Sequence, residues 1–247
     1  MSKQDWWRPK NLSSSQDSFR QVSDIKNLDP RNDFGSYRRV LLGDDFENSG
    51  INLHNDLNPL EKVRGIKKRL PNRNPNRILD AGCGLGFTTD AITQCFPEST
   101  VLGVDLSIDA ITFAKEKFPR SSFLAQAIDP ESAPIGSFDL IFCFEFYPFT
   151  RNRDADFQVQ MIRYLCQNLN EGGVLVISQT WKEVDGLPFI YKRVQTDCTD
   201  KTFTRFAIPH PRLSAKLPNV IAYAVSALGQ LVTRKELLKK IVFVQNT

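Results

Sequence analysis

RILDAGCGLGF, residues 77–87, is the stretch from which the fold can be read. Ile78 and Leu79 form an apolar run that ends in an acid, Asp80. Gly82, Gly84 and Gly86 crowd into a turn, and Thr88–Ile92 reads as the start of a helix. A buried strand, a tight turn and a helix N-terminus thus follow one another directly. Glycine lets a backbone approach a ligand closely, and a helix start presents N–H groups that have no intrahelical partner. The expectation is a nucleotide-cofactor site built on this turn.

Two cofactor classes use such a turn. The dinucleotide fingerprint is G-x-G-x-x-G; here the glycines give G-x-G-x-G and Phe87 takes the sixth position. Asp80 would also set negative charge near a pyrophosphate. It suits a ligand with a cationic end. The stretch LDAGCGLG resembles the first motif of the class I S-adenosylmethionine-dependent methyltransferases. That resemblance implies S-adenosylmethionine as cofactor, with Asp80, Gly82, Cys83 and Gly84 around its cationic part.

The second strand, TVLGVD, ends at Asp105, 19 residues beyond Gly86. An acid at a strand tip can accept both ribose hydroxyls of an adenosine. Asp105, with Leu106 beside it, therefore fits both cofactor classes, and a helix N-cap role is the plainer alternative. Strands and helices then alternate: strand 77–81, helix 87–95, strand 100–105, helix 107–118, strands 122–126 and 138–143, helix 155–169 and strand 173–179. Val159, Ile162, Leu165, Cys166 and Leu169 give the helix 155–169 one apolar side, and NEGG (170–173) is expected to cap it. This alternation implies an α/β fold, a doubly wound, Rossmann-like sheet with helices on both faces. With the resemblance it becomes a mostly parallel seven-stranded sheet. Ligands of such sheets sit at the carboxyl ends of the strands.

SFLAQAIDPESAPIGSFDLIFCFEF (122–146) extends the resemblance. By it, Asp129 would accept from the adenine amino group and a following N–H would serve the ring. Residue 130 is proline and has no N–H, so Ile128 or Gln126 must contribute instead. The plain reading of Asp129-Pro130 is a turn. Asp139 is read as a structural anchor of its strand. The tip Phe144-Glu145-Phe146-Tyr147 would face methyl group and acceptor, with Phe144 against the cofactor. Glu145 matches an acidic position of the family, but no histidine follows, and [DN]-P-P-[YFW], the motif for nucleobase amines, is absent. An oxygen acceptor needs a base. Glu145, His54 and Tyr147 are the candidates, with His210 behind them.

Outside this core the sequence says less. Residues 1–35 are polar and mostly aperiodic, and 1–57 are read as an N-terminal arm or lid. The resemblance implies a methyltransferase domain over residues 58–247, with acceptor-binding elements expected in 181–240. PLEKVRGIKKRL (59–70) reads as a helix with a basic outer face. TFTRFAI and the segment around 241–244 supply a closing antiparallel pair. From Lys201 onward eight basic residues face one acid, Glu236, which admits an anionic acceptor. VIAYAVSALGQLV (220–232) beside RKELLKK could lie on a membrane surface, although its helical faces do not divide strongly in sequence. No apolar run reaches the ~18 residues of a membrane span. Five scattered cysteines, an odd number without CxxC pairs, favour a reducing compartment and no zinc site. The N-terminus has no secretory pattern.

The expected protein is a cytoplasmic methyltransferase of a small molecule. The favoured acceptor is an oxygen on a sugar, a polysaccharide precursor or a natural-product intermediate. Nucleic acid is disfavoured by the lack of an RNA-binding module. The competing readings are an RNA methyltransferase, an NAD-dependent oxidoreductase and a non-catalytic protein that keeps the fold.

Overall fold

The computed structural model describes residues 59–146, 149, 154–178, 193, 195–209, 217–233 and 238–246. The expected arm at 1–57, together with His54, Tyr147 and His210, lies outside them.

Among the described residues the elements run α1 (Pro59–Lys67), β1 (Arg77–Ala81), α2 (Phe87–Cys95), β2 (Thr100–Asp105), α3 (Ile108–Lys117), β3 (Ser122–Ala125), β4 (Phe138–Phe144), α4 (Ala155–Gln167), β5 (Leu169–Ser178), β6 (Lys201–Pro209), α5 (Asn219–Thr233) and β7 (Leu238–Asn246). They build one seven-stranded sheet in the order β3-β2-β1-β4-β5-β7-β6. The strands β3 to β5 pair in parallel, and β7 inserts antiparallel between β5 and β6. The expected closing antiparallel pair is therefore present.

Alternation along the strands sorts the core into two layers. Leu79, Ile141, Leu175 and Val242 pack with Val159, Ile162 and Leu165 of α4. Ile78, Leu140, Phe142 and Val176 pack on the other face, against Val63 and Ile66 of α1 and Ile92 of α2. Chain order reverses between β1 and β4, the point at which doubly wound sheets open a crevice at their carboxyl edge.

Three local readings change. Ser107 is the N-cap of α3, accepting a hydrogen bond from Ala110 N at 3.2 Å, so that helix starts at Ile108. NEGG does not cap α4. The helix ends at Gln167 with Asn168 as its C-cap, and β5 begins at Leu169 opposite Phe138. The register then jumps, and Leu140 faces Val174, so the glycines form a bulge inside the strand. The cause is Asn168, whose side chain accepts from the N–H groups of Ile135 (2.7 Å) and Gly136 (3.2 Å) and fixes the helix end one residue before the strand. The third change concerns α1. Its face is not uniformly basic outside, because Lys62 is turned inward and 1% exposed. Asp139 anchors its strand as expected, accepting from Asn76 N (2.7 Å), Arg77 N (3.0 Å) and Asn170 Nδ2 (2.7 Å).

Candidate functional site

β1 and β2 each end in a carboxylate at the crevice. Asp80 has the same parity as Ile78, so it points toward the layer of α1 and α2. There it is 1% exposed and its Oδ2 accepts a 2.7 Å hydrogen bond from Thr89 Oγ1 of α2. Burial pushes its carboxyl up to about 7. The Thr89 hydroxyl and the Lys62 charge pull against this shift, and the Asp105 charge adds to it.

Asp105 is half-buried and braces the turn. Its Oδ2 accepts from Gly84 N at 2.9 Å and its Oδ1 from Ser107 N at 2.9 Å. Burial raises its carboxyl above the usual range, while the N–H groups of Ser107, Gly84 and Leu106 hold it down. The N-cap alternative for Asp105 is not what forms, since Ser107 caps α3. Cys83 is buried among Ile111, Ala114 and Phe123. Burial and the two carboxylates push its thiol far up, so it stays protonated.

Four of the turn's N–H groups are already used within the protein. Gly82 N and Cys83 N both donate to Val104 O, at 2.8 and 3.1 Å. Gly84 N donates to Asp105, and Gly86 N to Cys83 O at 3.0 Å. The glycines serve backbone geometry instead. Gly82 has φ +74°, and Phe146 lies across it so closely that a Cβ would stand 2.5 Å from Cδ2 of that ring. Gly82→Ala should therefore cost about 2–4 kcal/mol, combining a left-handed alanine with an overpacked contact. Urea denaturation checks this; in Gly82→Ala/Phe146→Ala the cost should be clearly less than the sum of the two single variants.

At the β4 tip, Glu145 is exposed and takes φ +50°, the one described non-glycine residue with positive φ. Its N–H donates to Ser178 O at 2.9 Å. Phe144 is 7% exposed, and its ring packs against Phe142 at 5.2 Å between centroids. Its side chain thus belongs to the core and only its backbone borders the crevice. Asp129 forms the Asp-Pro turn, Oδ1 accepting from Glu131 N at 2.9 Å and its carbonyl from Ser132 N at 3.0 Å. Ile128 is half-buried and packs against the α4 layer.

Two residues escaped the sequence reading. Lys62 Nζ lies 4.0 Å from the centre of the Phe144 ring, a buried cation over an aromatic face. Its one available signal was spacing, as it sits four residues before the buried Ile66. Ser178 closes β5 in register with Phe144. Its hydroxyl is buried and has no hydrogen-bond partner among the described residues. Lys62, Asp80, Phe144 and Ser178 all belong to the same side of the sheet. That side thus carries a carboxylate, an ammonium and a buried hydroxyl.

A sequence profile described as "Methyltransferase domain" matches residues 73–237. The chain is 25% identical over 159 residues to trans-aconitate 2-methyltransferase of Afipia carboxidovorans, covering 60% of this chain and 58% of that one. Proteins of the same name from Rhodopseudomonas palustris match over 43–44% of their length. The chain thus spans about half the length of the curated relatives it matches. Among solved structures, the N-methyltransferase NodS of Bradyrhizobium japonicum, in complex with S-adenosyl-L-homocysteine, superposes with a TM-score of 0.57 at 19% identity, over 86% of this chain and 97% of NodS. The plantazolicin methyltransferase BpumL gives 0.56 at 14% identity, over 94% and 100%.

Proposed function

The chain belongs to the methyltransferase-domain family, and from that premise we propose that it carries the methyl group of S-adenosylmethionine to an oxygen of a small, anionic acceptor. The observation that carries the cofactor half is the character of the strand tips. Asp80 and Asp105 present acceptors, while the N–H groups of Gly82, Cys83, Gly84 and Gly86 are already used. A pyrophosphate needs donors and is repelled by two carboxylates. An α-ammonium and a pair of ribose hydroxyls are donors and are attracted. The residues fit S-adenosylmethionine for this reason.

In this reading Asp80 holds the ammonium and Asp105 the ribose, through lone pairs that remain beside its two backbone bonds. Gly82, Cys83, Gly84 and Leu106 supply the close backbone wall. Ile128 and Asp129 border the adenine, and Phe144 contributes its main chain. The cofactor brings an activated methyl group, which leaves the protein to position the acceptor, exclude water and take up a proton. Glu145, exposed at the β4 tip, is the proposed base, with His54 and Tyr147 as further candidates.

Several relatives are named for trans-aconitate, an organic anion, which favours an anionic acceptor here. A sugar, a polysaccharide precursor or a natural-product intermediate carrying an acidic group would satisfy the same chemistry. Calorimetry with S-adenosylhomocysteine against NAD tests the cofactor. Heat from NAD alone would reject the reading. Transfer of labelled methyl to trans-aconitate and to a panel of sugar acids tests the acceptor, and methylation confined to intact RNA would overturn it.

The strain at Glu145 yields a separate expectation. Glu145→Gly should gain about 0.5–1 kcal/mol, because glycine carries no penalty at φ +50°. The same change should slow methyl transfer by at least about tenfold through loss of the base. Glu145→Gln, by contrast, should lose rate without gaining stability. Thermal melts and single-turnover rates read the two effects apart, and full rates in Glu145→Gln, His54→Ala and Tyr147→Phe would remove all three bases.

A further inference from the structure

The helix α5 is built the wrong way round for a helix that packs on a sheet. It runs 15 residues, NVIAYAVSALGQLVT, without a charge. Among the described elements it packs mainly against β6 and β7. The residues it turns inward are small: Ala222 and Ser226 are fully buried, and Gly229 is half-buried beside them in the helical repeat. Its large aliphatic residues point outward. Val220 is 82% exposed, Leu228 63%, Leu231 79% and Val232 83%, with Ile221 and Val225 on the same arc. The faces that looked undivided in sequence are divided in the structure, by side-chain size more than by polarity. A contiguous apolar patch of this kind marks an interaction surface.

Charge says what covers it. Lys216 precedes the helix, and Arg234 and Lys235 follow it, against Glu236 alone. An apolar face bracketed by lysine and arginine is the pattern of a helix lying in the interface of an anionic bilayer. A second copy of the chain fits less well. A 15-residue helix is about 22 Å long and about 10 Å wide, so one face supplies a few hundred Å2, short of the about 800 Å2 per partner of a stable pair.

Topology gives the contact a purpose. The segment carrying α5 leaves β6 at Pro209 and re-enters the sheet at Leu238, its register partner. Ser178 pairs with Ile241 at the same end. Both ends of this connection therefore emerge at the carboxyl edge, the edge that also carries Asp80, Asp105 and Glu145. We propose that α5 docks the protein onto an anionic membrane surface by burying its outward aliphatic face among the acyl chains, with the flanking basic residues on lipid headgroups. Docking of this kind would give the carboxyl edge access to acceptors held at a bilayer. The proposal is independent of which acceptor atom is methylated.

Vesicle co-sedimentation of the full chain tests it. Vesicles of phosphatidylcholine with about one-third phosphatidylglycerol should pellet the protein, and pure phosphatidylcholine should pellet far less. Leu228→Glu/Leu231→Glu should weaken partitioning at least about tenfold, since charged side chains are costly at that depth. Arg234→Gln/Lys235→Gln should remove the preference for anionic vesicles while keeping part of the apolar binding. The Leu228/Leu231 variant should melt and bind S-adenosylhomocysteine like the parent, because that pair faces outward. Absence of pelleting by the parent, or equal pelleting by the Leu228/Leu231 variant, overturns the proposal. So does a dimer seen by light scattering that the same variant dissolves, because a second copy would then be what covers the face.

Discussion

Asp80→Asn should weaken S-adenosylhomocysteine binding about a hundredfold while leaving the ligand-free protein as stable as the parent or more so. The two halves of this result have one cause. Asp80 is 1% exposed, and its described hydrogen-bond partner is the Thr89 hydroxyl. Without a ligand its negative charge is held in a dry pocket, which is why its carboxyl is pushed up to about 7. A bound ammonium replaces the missing solvation. Loss of one member of such a buried, hydrogen-bonded charge pair costs about 2–5 kcal/mol, and a hundredfold lies at the lower end.

The pH dependence has a defined sign. The folded carboxyl titrates near 7 and the unfolded one near 3.8. Between these values the native state holds a proton that the unfolded state has released, so the ligand-free protein loses stability as pH rises from about 4 to 7. The loss is at most a few kcal/mol. The Asp80→Asn variant, which has no proton to release here, should show a flatter slope. Binding shows the opposite trend. Below pH 7 an incoming ammonium must displace the Asp80 proton, so affinity should rise with pH up to about 7 and then level off. Calorimetry in buffers of different ionisation enthalpy would count the released proton. A parent protein with pH-independent affinity and no proton release would exclude Asp80 as the ammonium's partner.

Asp105→Asn should damage fold and site together. Each carboxylate oxygen holds a backbone N–H, that of Gly84 at 2.9 Å and that of Ser107 at 2.9 Å. An amide keeps one acceptor and turns an NH2 group toward the other N–H. The cost of leaving that group unsatisfied is about 1–3 kcal/mol, visible in a chemical melt. The Gly84 turn and the N-cap of α3 would both loosen, and S-adenosylhomocysteine affinity should fall by about ten- to a hundredfold as ribose hydroxyls lose a charged acceptor. Asp105 differs from Asp80 here. Neutralising Asp80 relieves a buried charge, whereas neutralising Asp105 removes a brace. A pair of variants with equal melts would contradict the distinction.

Much of the site was legible because it is local. The strand, the glycine turn and the helix of residues 77–95 are continuous in sequence, and their φ values follow from glycine at 82, 84 and 86. Asp105 was legible because one strand–helix–strand unit has a fixed length. What spacing did not show is that three N–H groups of the turn are already used, those of Gly82 and Cys83 by Val104 O and that of Gly84 by the Asp105 carboxylate, all from β2. Spacing within the turn carries no record of that partner. NEGG was misread for a similar reason. Two glycines after a helix look like a cap, yet pairing with β4 draws them into a bulged strand.

The sequence by itself determined the parallel α/β sheet and the two acids at its carboxyl edge. Apolar runs of strand length, breakers and helical periodicity act over a few residues and do not need the rest of the chain. Only the tertiary structure decided how those acids are used, and the deciding forces are desolvation and cross-strand hydrogen bonding. Asp80 becomes a carboxyl poised near 7 because α1 and α2 close over it. Lys62 becomes a buried cation because it shares the Val63 and Ile66 side of α1 and reaches the Phe144 ring. The apolar residues of α5 become an outward surface because its small residues are the ones that fit against the sheet. Burial depends on which elements meet in space, and no single segment encodes that.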